Sequence, residues 1–167
     1  MKVLTAPLWE LAEFEEGKAL LDRGKGHVAF SGLYDSQKLH MVYGLSDGFT
    51  QKIIVTFSDK RAREIGAEYG FYDRRTMVNP GKDLIFYQAD VSGGDLVRER
   101  MRVLRALLEK RPVTIVTTMS ALMMPQTPLS GIVSRILHFD KKSTVDESKL
   151  SAQLVEMGYE KSPQVEE

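Results

Sequence analysis

Short apolar runs alternate along this chain with longer stretches in which apolar residues recur at helical spacing. The runs at 52–57 and 113–117 are rich in β-branched residues and are typical of buried parallel strands. Shorter apolar segments predict further extended chain at 27–30, around Val78 and at 83–87. Helical spacing predicts one or two short helices between Leu8 and Leu21, and further helices over 38–45, 58–67, 95–110 and 147–157. Strands that alternate with helices predict an α/β fold with a parallel sheet and flanking helices.

Capping and turn residues mark the ends of several of these segments. Ser58 or Asp59 can cap the helix that follows the first β-branched run, and Asp146 can cap the last helix. Proline and glycine residues interrupt the pattern after the second β-branched run, at 125–131. We therefore place a domain boundary at this interruption.

Composition and charge narrow the possible classes of function. The chain has 167 residues, which is enough for one α/β domain and a small appendage. Its 23 basic and 23 acidic residues leave no net charge, which argues against a protein that binds DNA mainly through phosphates. There is no cysteine, which excludes disulfides and thiol catalysis, and no apolar stretch approaches the length of a membrane span. We therefore expect a soluble, cytoplasmic protein without a signal peptide or membrane contact.

Residues 31–39 lie between the apolar segment at 27–30 and the helix predicted over 38–45. Phosphate-binding loops occupy this position, between a strand and a helix. The segment nearly matches the pattern G-x-x-x-x-G-K-[ST], because Gly32 and Lys38 stand at the required positions. Gln37 replaces the second glycine, and Leu39 replaces the hydroxyl residue that holds magnesium. Asp35 adds a carboxylate that would repel the phosphates of a nucleotide. The sequence therefore predicts a degenerate nucleotide site without a cofactor. The alternative is that the glycine and the lysine have this spacing by chance.

Because Leu39 does not have to reach a metal ion, we expect its side chain to be buried. Its predicted neighbours are Met41, Val42 and the adjacent strands. Replacement of Leu39 by threonine would then bury a hydroxyl group.

Other residues give little support for catalysis. The histidines at 27, 40 and 138 share no metal-ligand spacing, and no G-x-S-x-G nucleophile motif is present. Asp146 and Glu147 follow a polar segment rather than an apolar strand, so they fit a helix cap better than a water-activating acidic pair. The arginines of 98–105 could form a DNA-binding face, but acidic residues lie among them and a solvated helix face is favoured. We therefore predict no catalytic residue and no metal site.

Several short motifs occur in a recognisable order. The most specific is the segment 109–125, EKRPVTIVTTMSALMMP. The others are Pro7-Leu8-Trp9, Ser31-Gly32-Leu33, Arg100 with Val103-Leu104, and Gly158-Tyr159-Glu160. In this order they resemble the N-terminal region of the bacterial transcription-repair coupling factors (Mfd), a region similar to the excision-repair protein UvrB. The resemblance covers essentially the whole chain. UvrB has an intact phosphate-binding loop at the matching position, whereas the loop of the coupling factors has degenerated.

The resemblance implies a P-loop NTPase-like α/β domain at residues 1–122 and the start of a small inserted, UvrA-binding domain at 123–167. It implies a module without its own ATPase, in a larger protein that displaces stalled RNA polymerase with an ATP-driven DNA translocase. The implied partners are UvrA and the remainder of that parent, with its RNA polymerase-binding and motor domains. No strand follows the last predicted helix, so we expect a piece of a longer protein whose UvrA surface is incomplete.

The resemblance also points to individual residues. In the family, basic residues after the Gly-Tyr pair contact UvrA, and Lys161 is the matching position here, with Tyr159 beside it. Pro163 departs from the aspartate that is usual in the family. Three functions stay open: a UvrA-recruiting interaction module, an atypical P-loop protein that still binds nucleotide through Gly32 and Lys38, and a DNA-binding fragment of a UvrB-like helicase.

Overall fold

The chain forms two compact units in the computed structural model, which describes residues 2–24, 26–81, 93–125 and 128–162. We call them unit 1 (Met1–Met124) and unit 2 (Pro125–Glu167). The division falls just after the boundary that the family resemblance implies. Within the described ranges, no helix is long and apolar enough to cross a membrane.

Unit 1 combines helices with a parallel sheet, so the predicted α/β class is confirmed. Its helices are α1 (Lys2–Thr5), a 3-10 helix (Ala6–Glu10), α2 (Ala12–Asp22), α3 (Asp35–Leu45), α4 (Asp59–Tyr69), α5 (Gly93–Leu108) and α6 (Met119–Leu122). Its strands are β1 (Gln51–Thr56), β2 (Thr76–Asn79) and β3 (Val113–Thr118). The extended segment predicted at 83–87 lies outside the described residues.

Strand β3 lies between β1 and β2, and all three strands run parallel. Every residue of β3 is buried, as its β-branched sequence predicts. Strand β1 lies at an edge of the described sheet and alternates between exposed and half-buried residues. The prediction of a buried strand is therefore wrong for β1. The reason is that α5 packs against β2 and β3, which leaves Ile53 and Val55 exposed, while Ile54 packs against the cluster between α3, α4 and the sheet.

The strand predicted at 27–30 is also wrong, because these residues form no strand and do not belong to the described sheet. Their apolar side chains pack against helices instead. A Cβ atom on Gly17 of α2 would lie 2.9 Å from the ring of Phe30, and Phe30 also packs against the cluster that contains Leu8, Phe14 and Met41. A run of four residues is too short to distinguish packing in a sheet from packing against helices.

Apolar clusters hold the helices of unit 1 against the two faces of the sheet. The cluster between α3, α4 and the sheet consists of Leu39, Tyr43, Ala62, Ile65, Tyr69 and Val116. The cluster under α5 consists of Val103, Ala106, Val113 and Ile115. Burial of a large apolar side chain contributes about 1.5–3 kcal/mol, so the first of these clusters fixes α3, and with it the candidate loop, on the sheet.

Unit 2 contains two short helices, α7 (Leu129–Val133) and α8 (Glu147–Glu156). The carboxylate of Asp146 accepts hydrogen bonds from the backbone N–H groups of Ser148 and Lys149 at 3.1 and 3.3 Å, so the predicted cap is confirmed. Among the described residues of unit 2, none is buried. Its described apolar side chains are therefore either half-buried or exposed.

Candidate functional site

The residues of the candidate phosphate loop form the first turn of α3. Gly32 precedes this turn with a φ of +77°, a conformation that favours glycine. The helix begins at Asp35, three residues earlier than predicted, and the backbone N–H of Lys38 donates to the carbonyl of Tyr34 at 3.0 Å. A phosphate-binding loop instead points successive N–H groups at the ligand. The N–H of Lys38 already has a helical partner, so it is not available for a phosphate.

Gln37, which stands at the second glycine position of the phosphate-loop pattern, caps helix α3. Its side-chain Oε1 accepts a hydrogen bond from the backbone N–H of Tyr34 at 3.1 Å. This is the contact that the third helical residue makes in a capping box, and it satisfies a donor that the helix leaves open. Gln37 therefore stabilises the helical form of the segment over a loop.

Charges around the first turn of α3 neutralise one another. The carboxylate of Asp35 lies 3.6 Å from the ammonium of Lys38 and 3.7 Å from the guanidinium of Arg61 on α4. Arg61 also contacts Glu64 at 3.0 Å and Glu68 at 3.7 Å. The side chain of Asp35 is 79% exposed, so its ion pairs contribute little to stability. In this group the acidic side chains outnumber the basic ones, which disfavours a phosphate ligand.

Leu39 lies in the core rather than at a metal site. Its side chain is 5% exposed and packs in the cluster between α3, α4 and the sheet, so the predicted burial is confirmed. Val42 packs against the same cluster, as predicted, but Met41 belongs to the cluster formed with Leu8 and Phe14. Residues two positions apart point to opposite sides of a helix, which is why the prediction for Met41 was wrong.

Polar side chains at the carboxyl ends of the strands bond to neighbouring protein groups. Asp59 begins α4 just after β1, and its carboxylate accepts a hydrogen bond from the backbone N–H of Gly81 at 3.1 Å. The hydroxyl groups of Thr118 and Ser120 lie 2.9 Å apart after β3. Asp59 is thus an acidic residue at a strand end, although the sequence indicated only a possible helix cap at this position, and Ser58 makes that cap. No group of three or more metal-binding side chains occurs in the described part of the chain.

A second ionic cluster lies at the amino ends of the strands. Asp73, whose side chain is 5% exposed, accepts hydrogen bonds from the Nε of Arg75 at 2.8 Å and the hydroxyl of Thr114 at 3.1 Å. The ammonium of Lys52 lies 3.5 Å from the same carboxylate. Burial alone would raise the pKa of Asp73, but the hydrogen bonds from Arg75 and Thr114 outweigh it and lower the pKa to about 2. The carboxylate therefore stays charged inside the fold.

An open cavity of about 220 Å³ adjoins this cluster and is lined by Tyr43, Phe49, Lys52, Asp73 and Arg75, among others. Ligands of open parallel sheets bind at the carboxyl ends of the strands, and this cavity is at the opposite end. Both cations in its lining, Lys52 and Arg75, already pair with Asp73. The cluster is therefore best explained as an ionic link between β1, β3 and the turn after α4.

The predicted partner-binding residues follow α8 in unit 2. The N–H of Tyr159 donates to the carbonyl of Leu154 and the N–H of Gly158 to that of Val155, both at 3.0 Å. With Gly158 at a φ of +93°, these bonds form a Schellman motif, which ends the helix and turns the chain away from it. The side chain of Tyr159 is 65% exposed, and Lys161 is also exposed. Both side chains are therefore accessible to a partner.

The sequence of this chain matches no protein-family model, and no curated protein matches it. Its function therefore has to be argued from the residues and their geometry.

Proposed function

We propose that this chain is a non-catalytic protein-interaction module of the kind found at the N-terminus of transcription-repair coupling factors. In this proposal it helps to recruit UvrA to stalled RNA polymerase in transcription-coupled nucleotide excision repair. Unit 1 is a degenerate P-loop-type domain, and unit 2 is the opening of the UvrA-binding domain. The observation that carries the proposal is that Asp35, Gln37, Lys38 and Leu39 are residues of a packed helix rather than of a phosphate cradle.

What each of these side chains does supports the proposal that the chain has no nucleotide chemistry. Gln37 caps the helix, Leu39 is in the core, and the ammonium of Lys38 lies near Asp35. A helix N-terminus can attract an anion, but here Asp35 already places a carboxylate on the first turn. A nucleotide would have to displace the carboxylate, unwind the turn and expose Leu39. Only two observations favour the alternative of a nucleotide-binding P-loop protein: the positive φ of Gly32 and the exposure of Lys38.

The interaction role of unit 2 is supported by the lack of buried residues in its described part. Apolar side chains that would form the core of a stable domain are exposed there, including Val133, Phe139, Val155 and Tyr159. Exposed apolar side chains are available for contact with a partner, and a tyrosine beside a cation is a frequent interface anchor. Tyr159 and Lys161 follow the end of α8, where the Schellman hydrogen bonds turn the chain away from the helix.

The proposal is tested by titrating the chain with purified UvrA. Replacement of Lys161 by glutamate should weaken UvrA binding by about 1 kcal/mol or more, or at least about fivefold, because charge reversal at a partly desolvated contact is repulsive. Lys142→Glu makes the same change at another exposed lysine of unit 2 and should leave the affinity unchanged. Absence of UvrA binding by the unmodified chain would contradict the proposed function. Equal affinities for the two variants would remove Lys161 from the contact.

A further inference from the structure

The cavity at the amino ends of the strands contains a buried polar group that the protein leaves without a partner. Tyr43 lines this cavity of about 220 Å³ and is only 5% exposed. The neighbouring hydroxyl of Ser46 contacts the carbonyl of Tyr43 and the hydroxyl of Tyr69. Within the described ranges, no hydrogen bond reaches the hydroxyl of Tyr43 itself. A buried hydroxyl costs free energy unless a molecule in the cavity satisfies it.

The hydroxyl of Tyr43 lies at the cavity as a neutral hydrogen-bond donor. Burial raises the pKa of Tyr43 above its ordinary value. The charges of Asp47 and Asp73 raise this pKa further, whereas the charge of Arg75 acts in the opposite direction. All three of these charged residues line the same cavity, so the hydroxyl they act on is part of its wall. It can donate to a ligand oxygen without adding a charge.

The ionic link around Asp73 forms a second wall of the cavity and does not use all of its donors. Arg75 gives Nε and one Nη nitrogen to Asp73, and the ammonium of Lys52 lies 3.5 Å from the same carboxylate. Both cations are paired, but two positive charges share one negative charge, so this wall stays positive. Arginine has five N–H donors and lysine three, so donors of both remain for a ligand carboxylate.

A negative charge lies on the turn after α3, which forms the rim of the cavity. Asp47 is exposed, and its carboxylate has no ion pair or hydrogen bond with the part of the chain that the structure describes. Lys18 fixes this turn, because its ammonium donates to the carbonyl of Asp47 at 2.9 Å and lies 5.8 Å from the ring centroid of Phe49. Phe49 and Pro112 add apolar surface to the lining. The cavity therefore presents both signs of charge, on different elements, beside apolar surface.

We propose that this cavity binds a small zwitterion of the class of free α-amino acids. The ligand carboxylate would accept hydrogen bonds from Tyr43 and from the remaining donors of Lys52 and Arg75. The ligand ammonium would pair with Asp47. A ligand with only one charge is a poorer fit, because an anion would face Asp47 and a cation would face the positive wall.

The size of the cavity suits this class of ligand. A volume of about 220 Å³ corresponds to about seven water molecules at about 30 Å³ each, which is close to the number of heavy atoms in a small amino acid. The cavity is at the opposite end of the sheet from the degenerate loop, so it does not depend on nucleotide chemistry. It belongs to unit 1 and is independent of the recruitment of UvrA by unit 2.

The test titrates the chain with L-leucine, N-acetyl-leucine and leucinamide. These molecules have the same side chain but carry both charges, only the carboxylate, or only the ammonium. Binding is followed by the shifts of backbone amide signals in NMR spectra, with Gly48 and Thr50 of the cavity lining as reporters. We expect leucine to bind at millimolar concentration and each analogue to bind at least about fivefold more weakly, because each lacks one of the two charged contacts.

Two substitutions test the assigned contacts. Tyr43→Phe removes only the hydroxyl and should weaken leucine binding by about fivefold. Asp47→Asn should weaken the binding of leucine and leucinamide by about fivefold and leave N-acetyl-leucine unchanged. The matched controls Tyr34→Phe and Asp35→Asn make the same chemical changes at exposed residues where α3 begins, and they should change leucine affinity by less than about twofold.

Several outcomes would overturn the proposal. Leucinamide that binds as tightly as leucine would identify a cation site, and N-acetyl-leucine that binds as tightly would identify an anion site. Absence of leucine binding at millimolar concentration, or equal losses in the test and control variants, would remove the ligand from the cavity. Thermal unfolding of each variant separates lost binding from misfolding, and the exposed Asp47 keeps the test decisive if Tyr43→Phe does not fold.

Discussion

The two ends of the sheet in unit 1 use carboxylates in opposite ways. At the amino ends of the strands, Asp73 is buried and receives hydrogen bonds from Arg75 and Thr114 while Lys52 lies close by. Near the carboxyl end of β1, Asp35 is exposed and forms only long ion pairs with Lys38 and Arg61. Both aspartates have two basic neighbours, yet only the buried one is held by short hydrogen bonds.

The difference shows at which end of the sheet a charge is held in a fixed position. Ligand sites of parallel α/β sheets form at the carboxyl ends of the strands, where a functional nucleotide site would need fixed, unpaired positive charge. Here the basic groups near that end, Lys38 and Arg61, pair with Asp35, and the buried carboxylate lies at the end that does not normally bind ligands. The arrangement fits a structural role for the fixed charge of Asp73, which links the strands.

The comparison is tested most strongly by removing each carboxylate in turn. Asp73→Asn should lower the free energy of unfolding by about 3 kcal/mol, because it leaves Lys52 half-buried beside a neutral group. Asp35→Asn is the matched change at the other end and should cost less than about 0.5 kcal/mol. Urea unfolding can be followed by the fluorescence of Trp9, which packs edge-on against Phe14 in unit 1, with ring centroids 5.1 Å apart. Equal losses in the two variants would refute the contrast.

Acid should act on unit 1 through the same residue. The pKa of Asp73 is about 2 in the folded chain, below its ordinary value of 3.8, so its carboxylate stabilises the folded state above pH 3.8. That stabilisation, about 2 kcal/mol, is lost as the pH falls from about 4 to about 2. The unfolding free energy reported by Trp9 should therefore fall across this window and fall less in Asp73→Asn. A variant with the unmodified slope would show that other carboxylates dominate acid unfolding.

Local patterns predicted the parts of this fold that local interactions determine. The run that became β3 is β-branched over its whole length and is buried from both sides, and Asp146 caps α8 through residues two and three positions away. The cap made by Gln37 was equally local. The same residues nearly match a phosphate-loop motif, and that match favoured a loop over a helix cap. A glutamine at the third position of a helix is itself a capping signal, and it is present in the sequence.

Tertiary partners determined what the sequence could not predict. The environment of Asp73 depends on Lys52 in β1 and Thr114 in β3, which are brought together only when the strands pair. The exposure of one face of β1 depends on where α5 packs, because the apolar composition of this strand is the same as that of a buried one. In the same way, the run at 27–30 was apolar enough for a strand, but its side chains pack against α2 instead of joining the sheet.

The smallest effect is expected at the carboxyl end, from an attempt to restore nucleotide binding. ATP with magnesium should not bind measurably at millimolar concentration, because the first turn of α3 is closed by its own hydrogen bonds and carries Asp35. The double variant Gln37→Gly, Leu39→Thr should still not bind. It would lose the cap, and it would bury a hydroxyl group in the core at a cost of about 1–3 kcal/mol without creating a metal site.

Isothermal calorimetry measures this binding directly, and Lys38→Ala is the control for the specificity of any heat that is seen. A lysine that met the terminal phosphates would be essential, so a signal that survives this substitution does not come from the loop. A micromolar dissociation constant for the unmodified chain, abolished by Lys38→Ala, would mean that the helix turn opens to hold phosphate. The two ends of the sheet would then differ in mobility, and the nucleotide-binding alternative would replace the interaction module.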